Sequence, residues 1–345
     1  MRKLLAILGT LVVVHAALLF VRPGGAAPAP KAKTVRVGIV FDLGGRGDKS
    51  YNDGAYLGGE RARTELGADV TFIEPGDGTD REAGLRLLAA EGMDLVMGIG
   101  FIFTDDIGTL AREYPATHFA GVDYAVSFDK DGQIVPLPAN VAALKFREEE
   151  GSFLVGALAA LAGGSRKLGF VGGMDSPLIR KFEAGYAAGV KHVCADCEVI
   201  AQYAGVTPAA FRNPSRGKEL ALSQYQAGVK VIFHASGSTG LGVFEAARTM
   251  NALAIGVDAD QYREAPGHVL TSMVKGIDAA VFDMVKRAQA GTFAGGVIGY
   301  GLAEDGVGYV YDANNKAQIP DAVRARVEAI KHDIITGVIK VPTVK

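Results

Sequence analysis

Short apolar runs alternate with longer stretches of mixed polarity along the chain from Val35 onward. Runs rich in β-branched residues, such as VRVGIVF and DLVMGIG, have the length of buried strands. The stretches between them have helical length. We predict helices over 52–66, 79–92, 104–114, 147–164, 177–192, 213–227, 239–250, 276–290 and 321–336. Strands that alternate with helices indicate βαβ units and a parallel sheet.

The alternation restarts after the stretch 147–164, and the second series resembles the first. GVD at 121–123 recurs as GVD at 256–258, and Tyr51 corresponds to Phe182. Glycines and small residues match at similar offsets: Gly38, Val40, Gly54 and Gly58 with Gly169, Val171, Gly185 and Gly189; Gly92, Ala111 and Arg112 with Gly228, Ala247 and Arg248. Two doubly wound sheets could share such glycines without a duplication. We expect two equivalent lobes.

The N-terminus has the pattern of an export signal. MRK precedes 18 residues that are apolar apart from His15, and RPGGAAPAPKAK then offers small residues for cleavage after Ala27 or Ala29. We expect residues 1–29 to be a signal peptide; a retained anchor is the alternative, because the apolar run is nearly long enough to span a bilayer. Both place the remainder outside the cytoplasm. No cysteine is available near this end for lipid attachment.

The charge and the cysteines exclude some functions. The formal net charge is −2, and without residues 1–29 it is about −5, which argues against a nucleic-acid partner. Cys194 and Cys197 lead from a helix end into a strand, whereas redox-active pairs usually begin a helix. We expect a structural disulfide or two packed thiols. No metal-ligand spacing is found, and we expect neither a metal nor a cofactor.

The loop FDLGGRGDKSYNDG at 41–54 resembles a phosphate-binding loop. However, Asp48 separates the last glycine from Lys49, and the third glycine of a dinucleotide fingerprint is missing. A polar loop that leads into a helix, with Ser50 or Asn52 as N-cap, is an alternative that would place Tyr51 at a cleft edge. In the simplest case, Asp48 and Lys49 pair on the surface and Tyr51 packs in the core.

Several strand ends carry residues suited to a ligand. Ligands of parallel sheets bind outside the carboxyl ends of the strands, where Asp42, Gly100, Asp123, Gly237 and Asp258 stand. Aromatic residues lie in neighbouring loops, and two from opposite lobes could enclose a flat ring: Tyr51, Phe101 and Phe211. Lys275 adds a charged donor. The set fits a flat, hydroxylated, nearly neutral molecule.

A hydrolase is the enzymatic alternative. HASGSTG at 234–240 places Ser238 after a strand, and Asp258 and His268 follow in the order of a Ser-Asp-His triad. A nucleophile elbow requires glycine at position 236, where Ser236 stands. We therefore expect no catalytic residue and a binding function instead.

The chain resembles the basic membrane protein family of extracytoplasmic solute receptors, which includes bacterial purine-nucleoside receptor lipoproteins. The resemblance covers about residues 35–345. Its signatures are VGIVFDLGGRGDKSYN, FREEEGSFLVGALAA, FRNPSRGKE, IGVDADQ, TSMVKGIDAAV and GVIKVP. It implies an α/β fold of the type I periplasmic-binding-protein class: two Rossmann-like lobes with parallel sheets, joined by a three-crossover hinge. Lobe closure on the ligand is part of that expectation.

The resemblance also implies roles for residues. Tyr51, where the family usually has Phe, and Phe211 would stack on a base. The base edge would be bonded by Asp42, Asn52 and Asp123. Asp258 and Lys275 would hold the ribose, with a backbone contact near Gly237. Leu43 departs from the pattern, because nucleoside receptors carry an Asn there.

Together these observations predict the receptor of an ABC importer, a monomer that binds a nucleoside-like small molecule and delivers it to a permease. We expect it in the periplasm, or tethered to the outer face of the inner membrane. We expect one lobe from 35–145 plus 266–292 and the other from 146–262 plus 296–345. A ligand sensor that regulates a membrane partner without transport is the alternative.

Overall fold

The chain builds two six-stranded sheets in the computed structural model, which describes residues 34–76 and 81–343. The predicted signal peptide 1–29 lies outside the described residues. The strands are β1 Arg36–Val40, β2 Asp69–Ile73, β3 Leu95–Ile99, β4 His118–Val122, β5 Val141–Phe146, β6 Lys167–Met174, β7 Glu198–Gly205, β8 Val231–Ala235, β9 Leu253–Asp258, β10 Val269–Lys275, β11 Gly296–Tyr300 and β12 Val307–Tyr309.

All nine helices of the described residues begin and end within two residues of the predicted bounds. They are α1 Tyr51–Leu66, α2 Arg81–Ala90, α3 Thr104–Glu113, α4 Glu148–Ala162, α5 Pro177–Val193, α6 Pro214–Gln226, α7 Gly240–Met250, α8 Ile277–Gln289 and α9 Asp321–Ile335. None of the helices within the described ranges is long and apolar enough to cross a membrane.

Each sheet defines one lobe. Sheet 1 has the order β11-β5-β4-β3-β1-β2, and all its neighbouring strands run parallel. Sheet 2 has the order β12-β10-β9-β8-β6-β7 and is parallel except for β12, which pairs antiparallel with β10. The predicted fold, two α/β lobes with parallel sheets, is confirmed, with one antiparallel edge strand added.

The chain crosses between the lobes three times. It crosses at Arg147 between β5 and α4, at Gly276 between β10 and α8, and along 301–306 between β11 and β12. Backbone hydrogen bonds join these segments: Arg147 N–H donates to Tyr300 O and Gly276 N–H to Gly306 O, both at 2.9 Å. The three crossings therefore lie side by side as one hinge.

Strand pairing changes the predicted lobe bounds at two strands. β10 falls within 266–292, predicted for the first lobe, but it pairs with β9 and β12 in sheet 2. β11 was predicted in the second lobe, but it pairs with β5 in sheet 1. The helix between them, α8, packs on α1 of lobe 1. The chain thus crosses between the lobes directly before α8 and again directly after β11. The apolar pattern of the sequence does not reveal these crossings.

Helices cover each sheet in pairs: α1 with α8 and α2 with α3 on sheet 1, and α4 with α5 and α6 with α7 on sheet 2. The pair α4 and α5 packs closely because glycines face the partner backbone. A Cβ on Gly189 would lie 2.0 Å from Phe153 O, and one on Gly185 would lie 2.2 Å from Glu149 O. This contact fixes the start of α4, which lies beside the hinge.

Candidate functional site

A cavity lies between the lobes at the carboxyl ends of both sheets, and its open space is about 530 Å³. All the residues predicted to bind a ligand line it: Asp42, Tyr51, Asn52, Phe101, Asp123, Phe211, Gly237, Asp258 and Lys275. The structure therefore brings the candidate residues of both lobes together around one space.

The loop between β1 and α1 is organised by Asp48, not by a surface ion pair. Asp48 is buried, and its carboxylate accepts hydrogen bonds from the backbone N–H groups of Ser50 and Asn52 at 2.9 Å and of Asp53 at 3.2 Å. Ser50 is the N-cap residue of α1, one of the two that the sequence offered, but the N–H groups of the first turn donate to Asp48 rather than to the Ser50 side chain. Asp48 satisfies the free N–H groups of the first helical turn. Lys49 instead approaches Asp53, at 4.0 Å.

Asn52 positions Asp42 in the cavity wall. Asn52 Nδ2 donates to Asp42 Oδ1 at 2.7 Å and to Asp48 Oδ2 at 3.1 Å, and Asn52 Oδ1 accepts from the Asp42 N–H at 3.2 Å. Gly44 N–H also donates to Asp42 Oδ1, at 2.8 Å. The amide of Asn52 is thus engaged within the protein, whereas the hydrogen bonds that Asp42 accepts in the described part of the chain go to Oδ1, which leaves Oδ2 for a ligand.

The two GVD segments end in equivalent aspartates with strained backbones. Asp123 and Asp258 have φ values of 60° and 65°, in the left-handed region that few non-glycine residues adopt. Asp123 directly follows β4 in lobe 1, and Asp258 is the last residue of β9 in lobe 2. Both strands are inner strands of their sheets. Ser50 Oγ donates to Asp258 Oδ2 across the cleft. The repeat read from the sequence therefore places one carboxylate of each lobe at the cavity.

Lys275 is held by carboxylates from both lobes. Its Nζ donates to both oxygens of Asp123 at 2.7 Å and lies 3.0 Å from Glu148 Oε1. Burial alone would raise the pKa of Glu148, but Lys275 and Lys181 lower it to about 2. Two hydrogen bonds to Asp123 and the ion pair with Glu148 thus engage the Lys275 ammonium group within the protein. Lys275 was predicted to hold a sugar directly; in this arrangement it would instead affect a sugar indirectly, because it holds Asp123 in position.

Four aromatic residues line the cavity, and sequence reasoning found three of them, Phe101 included. Tyr51 from lobe 1 and Phe211 from lobe 2 were predicted; Phe182 on α5 was not assigned to the site. Lys275 Nζ lies 5.2 Å from the ring centroid of Tyr51 and 5.7 Å from that of Phe182, within cation–π range. The match of Tyr51 with Phe182 in the internal repeat was the available signal.

Short 3-10 helices complete the wall at Phe101–Phe103 and Gly237–Thr239, the equivalent turns after β3 and β8. Ser238 Oγ donates to Phe211 O at 2.9 Å. His268 precedes β10, at the opposite edge of the sheet from Asp258, and its Nδ1 lies 3.0 Å from Ala252 O. The residues of the hydrolase alternative are therefore not assembled into a triad.

A family model for PnrA-like ABC transporter substrate-binding proteins matches residues 35–345. The chain belongs to this PnrA-like family. It is 33% identical over 336 residues to an ABC transporter nucleoside-binding protein of Lactococcus lactis, with 91% of each chain covered. An uncharacterized lipoprotein of Pyrococcus abyssi is 36% identical, with 90% of this chain and 77% of the relative covered. The family is one of non-enzymatic substrate-binding components.

A solved structure supports the assignment to ABC transporter substrate-binding proteins. The chain is similar to an ABC transporter solute-binding protein of Aeropyrum pernix, with a TM-score of 0.79, 31% identity, and coverage of 90% of this chain and 94% of that one. The protein is thus the substrate-binding component of an ABC transporter.

The cavity of this PnrA-like protein is acidic. Burial raises the pKa of Asp258 to about 7, against the attraction of Lys275 and the hydrogen bond from Ser50. Burial also raises the pKa of Asp42 to about 6, against its bonds with Asn52 and Gly44. Both groups therefore change protonation near neutral pH, and each can accept a hydrogen bond when ionised.

Leu43 does not belong to the wall of this cavity. It lines a polar groove at the mouth together with Arg46, Glu74 and Arg212. Arg46 Nε lies 2.7 Å from Glu74 Oε1. The hydrogen bond from Arg46 is the main cause that lowers the pKa of Glu74, and the charge of Arg212 in the other lobe lowers it further. The departure from the nucleoside-receptor pattern at Leu43 thus falls at the mouth.

Proposed function

We propose that this substrate-binding protein closes its lobes on a nucleoside, most specifically a purine nucleoside, and delivers it to an ABC permease. The observation that carries the proposal is the pairing of Tyr51 and Phe211, rings from opposite lobes that line one cavity. Rings on two sides of a cavity suit a flat ligand, since aromatic faces stack in offset pairs. A curated relative bears the name of a nucleoside-binding protein.

The carboxylates support a ligand rich in hydrogen-bond donors. Asp42, Asp123 and Asp258 line the cavity, and Lys275 is the only cation among its lining residues in the described part of the chain. Since Lys275 already binds Asp123, a phosphate would meet uncompensated negative charge. Base N–H groups and sugar hydroxyls would instead donate to the carboxylates. We therefore favour nucleosides over nucleotides.

A thermal-shift panel tests the ligand class. It would compare inosine, guanosine, adenosine, cytidine, free bases, ribose, nucleoside 5′-monophosphates and amino acids. We expect nucleosides to raise the melting temperature and their monophosphates to have little effect. Stabilisation by free sugars or amino acids without nucleosides would show that the ligand class is wrong.

Substitutions test the site. Phe211→Ala removes one stacking ring, and Asp258→Ala removes an acceptor; each should weaken nucleoside binding more than tenfold, or about 1.4 kcal/mol. Phe128→Ala is a matched aromatic control, because Phe128 is 63% exposed and lies outside the cavity lining. Calorimetric titration would measure the affinities. Unchanged affinity in both site variants would remove the site assignment.

The cellular role follows from the same proposal. We propose a monomeric receptor, exported by residues 1–29, which acts in the periplasm or on the outer face of the inner membrane. N-terminal sequencing of the exported protein distinguishes cleavage after Ala27 or Ala29 from retention of the segment. Uptake of radiolabelled nucleoside in cells that lack the protein tests transport: normal uptake would favour a sensor that acts on a membrane partner.

A further inference from the structure

The backbone carbonyl of Lys49 is a point at which the first loop of lobe 1 meets lobe 2. Lys49 has a φ of 56°, in the left-handed region. Two carboxylates hold the loop in this conformation: Ser50 N–H donates to Asp48 Oδ1 at 2.9 Å, and Lys49 N–H to Asp53 Oδ2 at 3.1 Å. The Lys49 carbonyl is therefore presented to the opposite lobe in a fixed position.

The partner of this carbonyl is Gln261, which ends the segment IGVDADQ and is 2% exposed. Gln261 Nε2 donates to Lys49 O at 3.0 Å, across the cleft. Gln261 Oε1 accepts from Val257 N–H at 2.7 Å, and Gln261 N–H donates to Ser272 Oγ at 3.1 Å, both within lobe 2. Lobe 2 alone thus fixes the side chain that lobe 1 meets.

A hydrogen-bond chain connects Gln261 to the cavity. His234 Nε2 lies 3.1 Å from Gln261 Oε1, which only accepts, so Nε2 carries the proton. Burial lowers the pKa of His234 to about 4, and the ring is neutral near pH 7. Its Nδ1 is then the acceptor for Ser236 Oγ, at 3.3 Å. Ser236 lines the cavity, so the chain runs from the cavity wall to the loop of lobe 1.

Two glycines leave room for this arrangement. A Cβ on Gly256 would lie 2.8 Å from Gln261 Oε1 and 2.5 Å from Ser272 Oγ. A Cβ on Gly240 would lie 2.1 Å from Cε1 of His234. Because neither imidazole nor amide could keep its place beside a larger residue, the local sequence is matched to the hydrogen-bond chain.

We propose that Gln261 is a positioning residue for lobe closure, whose amide bonds the Lys49 carbonyl only when the lobes are together and so slows ligand release. The bond crosses the cleft, whereas the other contacts of Gln261 stay within lobe 2. Opening the lobes would break this one bond and leave the rest in place. The inference rests on the proposed function, closure on a nucleoside, and adds a residue outside the cavity wall.

Two substitutions separate closure from folding. Gln261→Glu keeps an acceptor for Val257 N–H and His234, but when ionised it has no donor for Lys49 O. Gln261→Met removes the acceptor as well as the donor. Gln224→Met is the matched control, because Gln224 is a buried glutamine of the same lobe whose Nε2 donates to Phe170 O at 3.0 Å, within lobe 2. A structural loss alone would lower the melting temperature of the Gln224 and Gln261 variants alike.

The decisive readout is the rate of nucleoside release. We expect both Gln261 variants to release bound inosine about fivefold faster or more, with nearly unchanged association, because the lost bond exists only after closure. Gln261→Glu should regain slow release at pH values low enough to protonate it, since a carboxylic acid can donate to Lys49 O. Gln224→Met should release inosine at the wild-type rate. Equal release rates for the wild type and both Gln261 variants would overturn the proposal.

A ligand-free measurement keeps this result apart from the ligand assignment. Spin labels on Leu87→Cys and Val206→Cys, exposed positions in lobes 1 and 2, report the inter-lobe distance; the native cysteines are joined to each other. If no nucleoside binds, the proposed function fails, yet Gln261→Met should still lower the closed population of the unliganded protein. An unchanged distance distribution, or a wild type without a closed population, would then overturn the closure role as well.

Discussion

Lys275 Nζ lies 2.7 Å from each carboxylate oxygen of Asp123, and this ion pair joins the end of β10 in lobe 2 to the end of β4 in lobe 1. Glu148, at the start of α4, approaches the same ammonium group at 3.0 Å. β10 and α4 both adjoin hinge crossings. The site and the hinge therefore share one buried group of charges.

Removing the cation of this group should destabilise the protein. In Lys275→Met, Asp123 and Glu148 keep buried carboxylates without their shared partner, and we expect the free energy of unfolding to fall by about 3 kcal/mol. Urea unfolding followed by circular dichroism measures the change. The control Lys218→Met removes an exposed lysine paired with Glu245 and should leave the curve unchanged.

The double variant Lys275→Met/Asp123→Asn checks that the cost comes from the pair. Because the second substitution removes the unpaired charge, the double variant should lose less stability than the two single variants together. Strictly additive losses would show that Lys275 and Asp123 stabilise the protein independently.

Protonation of Asp258 should make stability depend on pH. Its pKa is about 7 in the folded protein and 3.8 in the reference state, so the folded state holds more protons between these values. Stability from this group is present below about pH 4 and is lost as the pH rises through 7. Asp258→Asn, which cannot ionise, should therefore exceed the wild type by on the order of 2 kcal/mol at pH 8.

Urea unfolding without ligand at pH 5 and pH 8 measures this difference. We expect the advantage of Asp258→Asn to shrink toward pH 5, where Asp258 is mostly protonated in the folded wild type. Asp131→Asn, on an exposed loop, should change stability equally little at both pH values. A pH-independent difference for Asp258→Asn would contradict a raised pKa at this position.

The helix and strand positions could be predicted because each element carries its own apolar pattern. α4 is an example: ten of its fifteen residues are buried, and after its first turn of glutamates its sequence is apolar apart from Ser152. The partner of a strand is not encoded locally. β10 and β11 both lie next to hinge crossings, so their sheets depend on pairing with β9 and β5, and β5 is distant from β11 in sequence.

The cavity residues could be predicted from strand ends and family motifs, but their contacts could not. The sequence suggested a surface role for Asp48, whereas its carboxylate folds back onto the first turn of α1. Phe182 was visible as the repeat partner of Tyr51, although its approach to the cavity depends on how α5 is placed on sheet 2. Gln261 stood in a family motif without an assigned contact, because its partner Lys49 belongs to the other lobe.

The disulfide between Cys194 and Cys197 should affect stability but not binding. The sequence left a disulfide and packed thiols open, and the structure joins the two residues. The bond closes a short loop between α5 and β7, at the edge of the sheet opposite the cavity, and we expect a contribution of about 2 kcal/mol. Cys194→Ser/Cys197→Ser should lower the urea midpoint by this amount and keep the wild-type affinity for inosine. A loss of affinity would link this edge to the cavity.

Gly173 should control the position of the Phe211 ring. A Cβ at Gly173 would lie 2.4 Å from Cδ1 and Cε1 of Phe211 and 3.2 Å from Cα of Ser236. Since the backbone of Ser236 limits movement on one side, the ring must shift out of its place. Gly173→Ala should therefore weaken inosine binding about tenfold, although the added methyl group carries no charge and removes no hydrogen bond.

Calorimetric titration of three variants shows whether the effect passes through the ring. In a Phe211→Ala background, Gly173→Ala should cost little further affinity, because the clashing ring is gone. Gly308→Ala is the control in the same sheet: its Cβ would lie 3.6 Å from Val274 Cγ2, an ordinary contact, and binding should be unchanged. If Gly173→Ala binds inosine like the wild type, Phe211 does not stack on the ligand in the position that the structure gives it.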